Sequence, residues 1–144
     1  MRVTWLQRLT ATPFTVHGHS MEPTYAAGTQ IWLKRWTARA RPLARGAVIV
    51  FRAPHPPHLL EVKRIVGLPG ETVAWGPGGR IQINGVLLEE PYARFAAAPP
   101  GDDAWTPVHL APDEYAVAGD HRLHSQDSRV YGSISRRAIR GVVA

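Results

Sequence analysis

Residues 46–67 read GAVIVFRAPHPPHLLEVKRIVG, and this stretch decides the fold class. Its first seven residues are a short apolar run rich in β-branched side chains, the pattern of a strand buried on both faces. The prolines at 54, 56 and 57 cannot feed a β-ladder, so residues 53–58 form a loop. Residues 59–67 then read as a second strand, ended by the turn Leu68-Pro69-Gly70. Working outward, residues 29–36 (TQIWLKRW), 72–75, 80–83, 86–88, 114–118 (EYAVA) and 138–143 (AIRGVV) give further short strands. Asn84-Gly85, between two of them, is a strong two-residue hairpin signal. Many short strands with turns between them predict an all-β sheet or barrel.

The rest of the chain is consistent with one globular unit. Its 144 residues are enough for a single core, the hydrophobic share is 44%, and 13 Gly and 13 Pro argue against a helical bundle. Residues 1–15 form an N-terminal segment with a weak apolar stripe (Trp5, Leu6, Leu9, Phe14) that Pro13 interrupts. Residues 89–113, rich in Ala, Pro and Asp, read as a loop-like insertion. With no cysteine, disulfides, thiol nucleophiles and zinc–thiolate sites are excluded. No stretch approaches the length of a membrane span, and Arg2 and Arg8 break any signal-peptide core at the N-terminus.

The net charge is +6, and 15 of the 17 cations are Arg. Lys34 and Lys63 are the exceptions, and Lys63 lies within an apolar strand. A lysine can be made to lose its proton by burial, whereas an arginine cannot. Two other segments stand apart from scaffolding. His17-Gly18-His19-Ser20-Met21-Glu22-Pro23-Thr24 frames a serine on a tight bend, which also reads as a plain polar turn. Residues 119–132 (GDHRLHSQDSRVYG) alternate acids, hydroxyls and arginines, as a hydrogen-bonded loop does.

In this order, the motifs S-M-x-P-T at 20–24, K-R-I-V-G-L-P-G-E at 63–71 and G-D-x-x-x-x-S-x-D-S-R-x-x-G at 119–132 resemble the type I signal peptidases, Ser–Lys endopeptidases. The first motif alone is expected in only about one in a thousand chains of this length. The resemblance implies an all-β fold, a partly closed antiparallel sheet or barrel with a small insertion, spanning residues 1–144 as one peptidase domain. It implies Ser20 as nucleophile and Lys63 as general base, with Ser125 orienting the lysine and Asp127, Arg129 and Asp120 tying down the same region. Gly18 stands where some relatives carry a serine, so the oxyanion donors implied are backbone N–H groups of Ser20 and Gly18. No metal or organic cofactor is implied. Relatives carry transmembrane helices before the serine motif, while 19 residues precede Ser20, so a short form lacking that helix is expected.

The implied substrates are exported preproteins, cut after small residues at the −1 and −3 positions. The expected location is peripheral, at the outer face of the cytoplasmic membrane, with Trp32, Trp36 and the Arg-rich stretch 34–52 (including Arg39 and Arg41) facing anionic lipid. A cytoplasmic soluble protease maturing one client propeptide, such as that of a nickel superoxide dismutase, is the alternative. A non-catalytic basic binding module is a second; no nucleic-acid partner is expected. A Ser–His–Asp site using Asp120 or Asp127, or a metal site on His17/His19 or His121/His124, finds no supporting spacing.

Overall fold

The computed structural model describes residues 11–36, 42–99 and 101–144. Trp5, Leu6, Leu9, Arg39 and Arg41 therefore lie outside the described residues. Eleven strands are formed among those described: β1 (Ala11–Thr15), β2 (Gln30–Arg35), β3 (Val48–Arg52), β4 (Leu60–Gly67), β5 (Thr72–Trp75), β6 (Ile81–Ile83), β7 (Val86–Leu87), β8 (Thr106–His109), β9 (Glu114–Ala118), β10 (Ile134–Ser135) and β11 (Ile139–Val143). They build a seven-stranded sheet in the order β1-β2-β11-β3-β4-β9-β10 and a four-stranded sheet in the order β7-β6-β5-β8. Every paired strand is antiparallel and neither sheet closes on itself. One four-residue helix, α1 (Ser128–Tyr131), starts at Asp127, whose side chain accepts the Arg129 N–H as an N-cap.

The run VIVF in β3 is apolar at every position because both faces of the large sheet are covered. Ile49 and Phe51 pack on one side with Ile65, Tyr115 and Val117. Val48 and Val50 pack on the other with Val16, Met21, Ile31, Leu33 and Val62. Alternation along a strand makes this division unavoidable. A third cluster, around Val66, Val73, Ile81 and Leu110, joins the small sheet to β4 and β9. Each of these fully buried aliphatic or aromatic side chains contributes roughly 1.5–3 kcal/mol.

Two expectations need correction. Residues 89–113 are not simply a loop: β8 lies within them and pairs with β5, and Leu110 is buried in the third cluster. The strand escapes notice because its TPVH carries a proline and is exposed at every position, as only an edge strand tolerates. Likewise Pro13 does not end an apolar segment but lies inside β1, paired with Trp32. Like β8, β1 is an outer edge, the place in a sheet where proline survives.

Candidate active site

The site arises where β4 runs past the end of β9. Pairing with β9 begins at Arg64↔Ala118, so Leu60–Lys63 are bonded to β3 alone and leave one edge open. The turn carrying Ser20 lies by this open edge. Its Met21 is fully buried in the second cluster, the Tyr25 N–H donates to the Met21 carbonyl, and Gly18 before it takes φ +75°. The turn is pinned from the far side by the His121 N–H, which donates to the Ser20 carbonyl at 2.9 Å.

Lys63 Nζ reaches Ser20 Oγ at 2.8 Å, across forty-three residues of sequence. The lysine is only 6% exposed, and its register partner in β3 is Ile49. Burial pushes the Lys63 amine below its ordinary value, against weaker upward pulls from Glu61 and Asp127. Ser20 and Lys63 line a cleft of about 250 Å³ together with Phe14, Val16, Met21 and Leu60. The Ser20 N–H donates to no backbone acceptor among the described residues.

The surrounding polar groups form a continuous frame. Asp120 is fully buried and accepts from Arg64 Nε (2.9 Å), Arg64 Nη2 (2.7 Å) and the Thr24 hydroxyl (2.5 Å). It therefore joins the strand of Lys63 to the turn of Ser20. Asp127, also buried, accepts from Arg129 Nε (2.9 Å), the Ser125 hydroxyl (2.7 Å) and the Gly119 N–H (3.0 Å). Burial pushes the Asp127 carboxyl up, but these donors, Arg129 foremost, hold it below the usual range. Gly119 is required by close approach: a Cβ there would lie 2.6 Å from the Ser20 carbonyl oxygen and would collide with the Ser125 side chain.

A family profile described as signal peptidase, peptidase S26, matches residues 2–144. The chain belongs to the S26 signal peptidase family. Signal peptidase I of Leptolyngbya laminosa is 36% identical over 136 residues, covering 88% of this chain and 63% of that protein. Signal peptidase I V of Bacillus subtilis is 29% identical over 141 residues, covering 91% and 82%. The crystal structure of a signal peptidase I from Enterococcus faecalis superposes with a TM-score of 0.60 at 28% identity, covering 72% of this chain and 98% of that one. The chain thus spans just under two thirds of the length of the Leptolyngbya relative.

Within this S26 chain, Ser20 and Lys63 come together, and Asp127 meets Arg129. Ser125 is not hydrogen-bonded to the lysine: its hydroxyl donates to Asp127 and accepts from the Gly119 N–H at 3.1 Å. Trp36 is a correction. It is buried in the first cluster beneath the Arg136 guanidinium and so cannot meet a lipid surface. Trp32 remains half-buried, and Lys34, Arg35 and Arg52 are exposed.

Sequence reasoning missed Arg64, Thr24, Gly119 and the Arg122–Glu90 pair. Arg122 and Glu90 are buried and meet through both guanidinium nitrogens, fastening residues 89–95 to the 119–132 loop. Thr24, Arg64 and Gly119 were visible as fixed positions of the three motifs, and strand alternation points Arg64 away from Lys63 and toward a different partner. Among the described residues no helix is long and apolar enough to cross a membrane.

Proposed function

We propose that this S26 family member is a serine endopeptidase that removes N-terminal signal or leader peptides from exported proteins, with Ser20 as nucleophile and Lys63 as general base. The observation that carries the reading is the 2.8 Å contact between the Lys63 amine and the Ser20 hydroxyl, with the amine buried and its basicity lowered. A serine hydroxyl is a poor nucleophile without a base to take its proton, and an ammonium cannot be that base. Desolvation favours the neutral amine, which accepts the Ser20 proton as Oγ attacks the scissile carbonyl carbon. Lys63, now an ammonium, passes that proton to the leaving amine as the tetrahedral intermediate collapses to an acyl-enzyme. Lys63 then takes a proton from water, the hydroxide releases the acyl group, and Ser20 recovers its proton.

Backbone N–H groups of Ser20 and Gly18 are assigned to the developing oxyanion. Ser125, Asp127, Arg129 and Asp120 are positioning residues, holding both partners to the tolerance the chemistry needs. The open edge of β4 suits an extended peptide that adds main-chain hydrogen bonds there. The small, apolar-walled cleft suits the small side chains expected at −1 and −3. Leu59 and Leu60, 63% and 43% exposed beside the cleft, together with Trp32 and the exposed Lys34, Arg35 and Arg52, support peripheral docking at the outer face of the cytoplasmic membrane.

The test is incubation of the chain with a panel of exported precursors and candidate propeptides, with cut sites read by mass spectrometry. Cleavage after small residues, absent in Ser20→Ala and in Lys63→Met, is expected. Undiminished cleavage by either variant overturns the mechanism.

A further inference from the structure

The cleft holds one feature that the dyad leaves unused. Among the described residues lining it, Glu61 is the only acid, in a chain of net charge +6. Its carboxylate is held from behind: Tyr131, on α1, donates to Oε2 at 3.1 Å, and His55 Nε2, from the loop before β4, stands 3.8 Å from Oε1. The His55 ring stacks on Tyr131 with centroids 5.0 Å apart, which fixes both partners. A carboxylate has about four acceptor sites, so this arrangement leaves capacity facing the cleft. Lys63, two residues on along the same strand, feels the Glu61 carboxylate but is hydrogen-bonded to Ser20 and not to it.

We propose that Glu61 is a specificity-determining residue, selecting substrates with an arginine or lysine side chain within three residues of the scissile bond, at a position other than the small −1 and −3. The inference rests on the Ser20–Lys63 reading above. Glu61 and Lys63 are two residues apart on β4 and face the same way, so their Cα atoms are separated by roughly 6.5–7 Å. An extended substrate with its scissile carbonyl at Ser20 covers that distance in two residues, and a long basic side chain adds one more. A carboxylate set among apolar walls is partly stripped of water, and a charge-assisted hydrogen bond from a substrate cation restores what it lost. Among the described residues lining the cleft such a cation finds no other carboxylate, which sharpens the preference for this one position.

The experiment uses the full chain and ten-residue peptides with small residues flanking the cut, carrying Arg, Ala or Asp singly at each of the three positions on either side. The readout is the ratio of kcat/KM for the Arg and Ala peptides. For the wild type, one position is expected to favour Arg by about tenfold, a typical effect for a charge-assisted contact. In Glu61→Gln that ratio falls toward one, and in Glu61→Lys the preference passes to the Asp peptide at the same position. Wild-type cleavage with no positional preference for Arg overturns the inference and leaves the dyad standing. So does a Glu61→Gln variant whose pH profile moves equally for all peptides with the ratio retained, because Glu61 then acts only on Lys63. Failure of the wild type to cut any peptide, with no binding of any by Ser20→Ala, overturns the dyad reading and this inference together.

Discussion

Arg64 forks onto Asp120, Nε to Oδ1 at 2.9 Å and Nη2 to Oδ2 at 2.7 Å. The residue next to the candidate base is thereby locked to the residue next to His121, whose N–H holds the Ser20 carbonyl. Two neighbours on one strand have opposite surroundings: Arg64 keeps its charge beside a buried carboxylate, and Lys63 is buried so that its charge is disfavoured. This division is what separates a structural cation from a reactive amine.

Asp120→Asn is expected to lower stability by about 3–5 kcal/mol, because it leaves the Arg64 guanidinium without its counter-charge. Thermal unfolding measures the loss. The double variant Asp120→Asn/Arg64→Met should regain much of the stability but not the activity, since the link from β4 to the serine turn stays cut. Full recovery of kcat in the double variant would show that the link does not position the dyad.

On the proposed mechanism Lys63 sets the acid limb of the pH profile. Cleavage requires the neutral amine, so kcat/KM should rise with pH through a midpoint below the ordinary lysine value of 10.5. Stability carries the same sign. The unfolded chain binds the Lys63 proton more tightly than the folded one, so the destabilisation it causes is full at low pH and fades as pH rises from the lowered value to 10.5. Lys63→Met should therefore be inactive yet melt higher than wild type near neutral pH, with the difference narrowing in alkali. Lys63→Arg should be nearly as inactive as Lys63→Met, because a guanidinium does not give up its proton.

Gly119→Ala should abolish turnover more completely than Ser125→Ala. The added methyl drives into the Ser20 carbonyl and the Ser125 side chain, displacing the nucleophile's turn. Ser125→Ala removes two hydrogen bonds around Asp127, at a cost of about 1–3 kcal/mol, and should slow kcat with little change in KM. A Ser125→Ala variant as inactive as Ser20→Ala would mean that the hydroxyl meets the substrate or the amine directly.

Arg122→Met should destabilise strongly, by about 3–5 kcal/mol, through the Glu90 carboxylate it strands. Because that pair fastens residues 89–95 to the loop at 119–132, limited proteolysis should cut first near Tyr92 and Phe95 in this variant. Unchanged cleavage sites would count against the fastening role.

What could be read from the chain divides along physical lines. Strands buried on one or both faces, such as VIVF and EVKRIVG, announce themselves because burial dictates the pattern of apolar residues. Edge strands do so less clearly, since β1 and β8 are largely exposed, with Phe14 alone of β1 packed on the second cluster, and they accept Pro13 and Pro107. The Ser20–Lys63 contact was legible through its motifs and through Lys63, one of only two lysines in an arginine-rich chain. Arg64–Asp120 and Arg122–Glu90 were not, because ion pairs between distant segments leave no periodic trace. The burial of Trp36 was also hidden: an aromatic among cations looks the same whether it covers a core or a membrane.

The sheet order has a consequence for timing. β11 pairs with β2 and β3 in the middle of the large sheet, so strands about a hundred residues apart must find one another before it is complete. Contacts of such long range form late. Until β11 is in place, β1-β2 and β3-β4-β9-β10 are two separate halves, so Ser20, in the turn between β1 and β2, and Lys63, on β4, are held at their 2.8 Å contact only once the C-terminal strand has docked.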